Sequence, residues 1–169
     1  MEHLWSPWRM QYLQDGDKAT GILAGGAGCV FCDAHTQPAD RDAEVLIVRR
    51  GERAFVILNI YPYNNGHFMV MPYAHVPSLE QLTAPTLTEM MMLVNHGLAA
   101  LRTMYNPHAF NLGMNIGGAA GAGIVGHVHM HIVPRWAGDT NFMTVTAGTR
   151  VIPEDLRETW RRMRDAWPS

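Results

Sequence analysis

The chain has 169 residues, 47 % of them apolar, and a formal charge of −2. That is enough apolar material for one buried core, so a single domain with terminal extensions is expected. No apolar run is long enough to cross a bilayer, and the charge balance gives no reason to expect nucleic-acid or membrane binding.

Met1 leads into Glu-His-Leu-Trp-Ser-Pro-Trp-Arg, not into a basic stretch followed by an apolar run. No secretory signal is expected, and the cytoplasm is the default address. Trp5, Trp8, Tyr12 and Leu13 would share one helical face suited to docking on a core or a partner subunit. Residues 15–28, rich in Gly and Ala, look like a flexible connector. Cys29 and Cys32 are the only cysteines, and their Cys-x-x-Cys spacing suggests metal or redox work more than a structural disulfide. Residues 33–43 look loop-like. Glu44–Arg49 and Ala54–Asn59 form a candidate hairpin around Arg50-Gly51-Glu52, and His67–Met71 follows the turn Tyr61-Pro-Tyr-Asn-Asn-Gly66 as a third strand.

Residues 86–104 are predicted to be a long helix. Thr86-Leu-Thr-Glu89 matches a capping box, and Leu87, Met90, Met91, Val94, Leu98 and Leu101 recur at helical spacing, a stripe expected in the core. His96 lies on this helix without an assigned role. Phe110–Asn115 and Gly126–Pro134 are the next strands, joined by a Gly-rich loop, and a last helix should start at Pro153 and run towards Trp167. There is no βαβ rhythm. The expected fold is α+β, an antiparallel five-stranded meander with the long helix between strands three and four and a C-terminal helix.

The run Gly126-His-Val-His-Met-His-Ile-Val-Pro134 is the strongest functional signal. Side chains alternate along a strand, so His127, His129 and His131 would line one face. Packing does not explain three imidazoles there, because each buried ring demands partners at both nitrogens. The Gly-rich loop ahead of them, Asn115 to Val125, is either a flexible turn or a cradle of backbone N–H groups for phosphate oxygens.

Four features converge: Cys29-Val-Phe-Cys32, Gly66-His67-Phe-Met-Val-Met-Pro72 with His75 behind it, Asn111-Leu-Gly-Met-Asn115, and the alternating histidines. Their order and spacing resemble the histidine triad (HIT) family of nucleotide hydrolases and transferases, over residues 29 to about 138. Leu4-Trp-Ser-Pro-Trp-Arg-Met-Gln-Tyr-Leu13, Tyr61 to His67, Pro134 to Phe142 and the tail from Val151 resemble that family's bacterial diadenosine tetraphosphate phosphorylase branch. The implied organisation is an N-terminal segment and connector at 1–28, a HIT domain at 29–138 and a C-terminal extension at 139–169.

The resemblance implies a covalent nucleotidyl-histidine intermediate on His129, whose other ring nitrogen is held by a backbone carbonyl. It places His131 near the phosphate and its leaving group, and makes His67 a supporting histidine. Asn59 would lie against ribose or base, with Leu46, Phe55 and Ile57 as candidate apolar walls. Asn115, Ala122 and Gly123 would belong to the phosphate loop. Here the chain departs from much of the family, since Gly123-Ile-Val-Gly126 stands where Gln or Ser is usual. Trp136 could stack on a base or pack at a subunit interface.

Cys29, Cys32, His75 and His127 match the positions that supply structural zinc in many bacterial members, with His35 as a nearby substitute. A redox pair is the rival reading of the cysteines. The family also implies a homodimer through the long helix and fourth strand. Two other functions remain open at this stage: a zinc-dependent hydrolase with the triad as metal ligands, and a non-catalytic nucleotide-binding module.

Overall fold

A computed structural model of the protein describes residues 28–139 and 154–168. The aromatic segment, the connector up to residue 27 and Pro153 lie outside the described residues.

Residues 33–43, expected as loop, are mostly helical. Helix α1 spans Val30–Thr36, a 3-10 turn spans Ala39–Arg41, and α2 spans Asp42–Val45. Each piece is too short to display a readable 3.6-residue period. Leu46 then takes φ 62°, a left-handed conformation that ends α2. The first strand therefore begins at Ile47 and not at Glu44: β1 is Ile47–Arg50 and β2 is Ala54–Leu58. Glu89 closes their connection, its carboxylate accepting the N–H groups of Glu52 and Arg53.

That use of Glu89 removes it from the expected capping box. Helix α3 spans Ala84–Tyr105, and its cap is Thr83, whose hydroxyl accepts the N–H of Thr86. Pro85 sits in the first turn, where its missing N–H costs no intrahelical bond. Met90, Leu93, Val94, Ala100 and Leu101 are buried, whereas Met91 and Met92 are exposed, so the Met-rich stripe is only partly core.

The remaining elements are β3 (Phe68–Pro72), β4 (Ala109–Met114), β5 (Met130–Arg135) and α4 (Leu156–Asp165). The cap of α4 is Asp155, two residues beyond the expected start. Met163 of α4 is fully buried, and Trp160 donates its indole N–H to the Ile47 carbonyl.

Every neighbouring pair of strands is antiparallel, and the order is β1-β2-β3-β5-β4. Strands β1 to β3 run as a meander. The chain then crosses through α3 to the edge, and β5 returns between β3 and β4. Met69 and Gly113 thereby flank His131, which brings the start of β3 beside the triad.

Successive side chains alternate, so Met69 and His131 face one side of the sheet while Phe68 and Ile132 face the other. Phe68 meets α3 on that second side, against Gly97. A Cβ at residue 97 would lie 2.3 Å from the Phe68 ring, with two more ring atoms within 3.0 Å. Gly97→Ala is therefore expected to destabilise the fold by about 1–3 kcal/mol despite alanine's better helix propensity, because the buried ring has nowhere to move. Urea unfolding would measure it, and an unchanged or raised midpoint would contradict this account of the helix–sheet contact.

Candidate active site and metal centre

The triad stretch is only partly strand. His131 belongs to β5, while His127 and His129 precede its first residue, Met130. The three rings consequently do different things. His127 and His129 are buried and His131 is half-buried.

His127 turns Nδ1 towards the cysteines, 3.5 Å from Cys29 Sγ and 3.6 Å from Cys32 Sγ, and donates from Nε2 to the Pro72 carbonyl at 2.9 Å. Burial pushes its pKa down to about 4, so the ring is neutral, as a metal ligand must be. Cys32 Sγ lies 3.3 Å from His75 Nδ1, and the ligand atoms of Cys29, Cys32, His75 and His127 all fall within 4.8 Å of one another. Zinc bonds of about 2.3 Å to sulfur and 2.0 Å to nitrogen give a tetrahedral S···N edge of about 3.5 Å. The three S···N separations of 3.5, 3.3 and 3.6 Å match it, and the His127–Pro72 bond is the kind of outer hydrogen bond that would fix a metal-bound imidazole.

These residues fit a closed structural zinc site. They form the only such ligand cluster among the described residues, and the three triad histidines do not form one. His35 is not part of it: its ring packs against Phe55 and Tyr73. Leu46, Phe55 and Ile57 are likewise buried in the core, with Phe55 stacked on Tyr73 at 5.3 Å.

His129 donates from Nδ1 to the carbonyl of His127 at 2.8 Å. That bond assigns the proton to Nδ1 and leaves a lone pair on Nε2. Burial lowers the pKa of the ring, which favours the same neutral form.

A second set of bonds orders the neighbouring pair. The Tyr63 N–H donates to His67 Nδ1 at 3.1 Å, so the His67 proton sits on Nε2. His67 Nε2 lies 3.1 Å from His131 Nδ1 and donates to it. In neutral His131 the proton is then on Nε2. One backbone amide thus sets two tautomers, with a bare nitrogen on His129 and a proton-bearing one on His131.

Two aromatic residues in the site are not disclosed by the histidine pattern. The Phe31 ring is buried 4.9 Å from His129 and 5.5 Å from His127. Its place between the two cysteines was the available signal. Tyr63 lies 4.9 Å from the His67 ring and is stacked at 6.4 Å on His131.

The expected nucleotide residues are scattered. Asn59 is engaged with the site from behind: its amide nitrogen is 3.4 Å from both ring nitrogens of His67, and its oxygen accepts the Tyr61 N–H. Asn115 reaches the Gly121 carbonyl at 3.5 Å and braces the loop before the triad. Gly117 and Gly121 adopt positive φ in that loop, a conformation that glycine permits without strain. Ala122 is buried with its N–H on the Gly117 carbonyl, and Gly123 is exposed beside it. Trp136 stands beyond the far end of β5, about 20 Å along the chain from His129, and packs edge-on against Tyr105. Within one chain it is not brought to the triad.

Comparison with known proteins agrees with this geometry. Residues 41–138 match the HIT domain family. The chain belongs to that family. It is 39 % identical over 168 residues to the AP-4-A phosphorylase of Mycobacterium tuberculosis (strain CDC 1551 / Oshkosh), covering 99 % of this chain and 85 % of that relative. Among solved structures, a zinc-bound histidine triad family protein from Mycobacterium smegmatis superposes with TM-score 0.63 at 29 % identity. The match covers 82 % of this HIT chain and 91 % of that one. A hypothetical histidine triad nucleotide-binding protein from Sulfolobus tokodaii strain7 gives TM-score 0.64 at 27 % identity, with the same coverage of both chains. As a HIT protein, the chain is of the nucleotide hydrolase and transferase type.

Proposed function

We propose that the protein is a dinucleoside polyphosphate phosphorylase acting through a nucleotidyl-His129 intermediate. The observation that carries this reading is the buried His129 imidazole, its Nδ1–H tied to the His127 carbonyl and its Nε2 lone pair left for attack. Nε2 bonds to the substrate phosphorus while the bond to the departing phosphate oxygen breaks. The positive charge that develops on the ring is stabilised through Nδ1–H by the carbonyl. His131, protonated on Nε2, donates to the departing phosphate oxygen and can protonate a leaving group more basic than phosphate. In the second half-reaction an acceptor oxygen attacks the same phosphorus and Nε2 leaves. Asn115, Ala122 and Gly123 would orient the phosphates from the loop, and a zinc ion on Cys29, Cys32, His75 and His127 would supply structure.

The relative that spans nearly the whole chain is an AP-4-A phosphorylase, which supports inorganic phosphate as the acceptor. Incubation with diadenosine tetraphosphate, with and without phosphate, tests the assignment. ADP plus ATP, formed only when phosphate is present, is the expected result. AMP plus ATP would make the protein a hydrolase instead, and tight binding without turnover would make it a binding module.

We also infer a cytoplasmic homodimer. No helix among the described residues is long and apolar enough to cross a membrane. Strand β4 forms one edge of the sheet, largely exposed, and Leu112 on it and Met91 and Met92 on α3 are apolar side chains open to solvent. Among the described residues that edge is unpaired, and a second copy would complete it. Sedimentation at micromolar concentration should give the dimer mass, and a monomer would refute it.

A further inference from the structure

We propose that Asn64 and Asp139 are positioning residues that fix which ring nitrogen of His131 carries the proton, and so govern protonation of the leaving group. The inference rests on the reading of His129 as nucleophile.

Asp139 lies just past the end of β5. Its Oδ2 accepts from Arg135 Nε, the Trp136 N–H and Asn64 Nδ2, and its Oδ1 accepts from Arg135 Nη2. The Arg135 guanidinium, helped by Asn64 and the Trp136 amide, holds its carboxyl well below the usual carboxylate range, which keeps it an acceptor. Asn64 Nδ2 has two hydrogens, and they match two acceptors: Asp139 at 2.8 Å and the Pro134 carbonyl at 2.9 Å. The buried amide is thereby confined to one orientation. It fastens the turn between β2 and β3 to the exit of β5.

The turn so fastened holds His67 at two points. The Asn64 carbonyl accepts the His67 N–H at 3.1 Å, and the Tyr63 N–H reaches His67 Nδ1 at the same distance. The second bond selects the Nε2–H tautomer of His67 and, through it, the Nε2–H tautomer of His131. If the turn drifts, the alternative pairing opens: His67 protonated on Nδ1 and accepting at Nε2 from His131 Nδ1–H. His131 Nε2 would then be bare, with no proton to give. Asn64 and Asp139 bias the choice without touching the reacting atoms.

The test compares two adenosine 5′-phosphate esters on the zinc-loaded protein. A p-nitrophenyl ester expels a stable anion that needs no proton, whereas an alkyl ester must be protonated as it leaves. Asn64→Ala and Asp139→Ala should lower kcat for the alkyl ester by tenfold or more and leave the p-nitrophenyl ester within about threefold, with KM for both little changed. Asp139→Asn, which keeps an oxygen acceptor for Asn64, should retain both activities. Imidazole ¹⁵N spectra should show His131 protonated on Nε2 in the parent and mixed between nitrogens in Asn64→Ala. Equal loss on both esters, or unaltered His131 tautomers, would reduce the clamp to a structural role and overturn the proposal. If the parent turned over neither ester, the nucleophile assignment would fail instead.

Discussion

Replacement of His129 by glycine should lower turnover by several orders of magnitude while nucleotide affinity stays nearly intact. The covalent step is lost, but the walls of the site are not. Phe31, His131 and the loop from Asn115 to Gly126 do not depend on the ring for their own hydrogen bonds; the bond that His129 makes is to the His127 carbonyl. His131→Ala and His67→Ala should be milder, because they remove proton placement and leave the attacking nitrogen in position. Rapid quenching in base with labelled substrate should trap an acid-labile phosphoramidate on the parent protein and none on His129→Gly. An adduct on His127, or substantial turnover in the variant, would end the mechanism proposed for this site.

Removal of the zinc ligands should act on stability more than on chemistry. Zinc-finger peptides draw about 10 kcal/mol or more from their metal. Even a third of that would lower the unfolding midpoint of a domain this size by roughly 10 °C. The double variant Cys29→Ser, Cys32→Ser should show a loss of that order, because the cluster ties α1 and the chain before β5 to the end of β3. Turnover at low temperature should largely survive, since His129 is not among the four ligand residues and its Nδ1–H is held by a backbone carbonyl. A fully stable variant without activity would make the metal part of the reaction. Calorimetry on the loaded and chelator-treated protein separates the two outcomes.

Residues that act at short sequence spacing were the most legible. Alternation marked His127, His129 and His131, and Cys-x-x-Cys marked the metal loop, because each pattern lies within five residues. His75 and His67 became readable through resemblance, and the crossover that seats β5 beside β3 shows why they belong. The three helical pieces between Val30 and Val45 escaped because none spans enough residues for a period. The start of α3 was displaced because two caps compete: Thr86 with Glu89 fits the capping pattern, but Glu89 is engaged by the β1–β2 turn and Thr83 caps instead. Asn64 and Asp139 gave no local signal at all. They lie 75 positions apart and meet only after the sheet is assembled.

Gly126 draws together sequence, space and coordination number. A Cβ at that position would stand 3.0 Å from His75 Nε2, closer than ordinary packing allows. A side chain there would crowd the exposed His75 ring and make it give by a few tenths of an ångström. Three protein ligands with a vacated fourth position are the arrangement that lets zinc take up and acidify water. A hydrogen in place of a side chain at residue 126 therefore leaves His75 room to complete the set of four ligands that a closed zinc site requires.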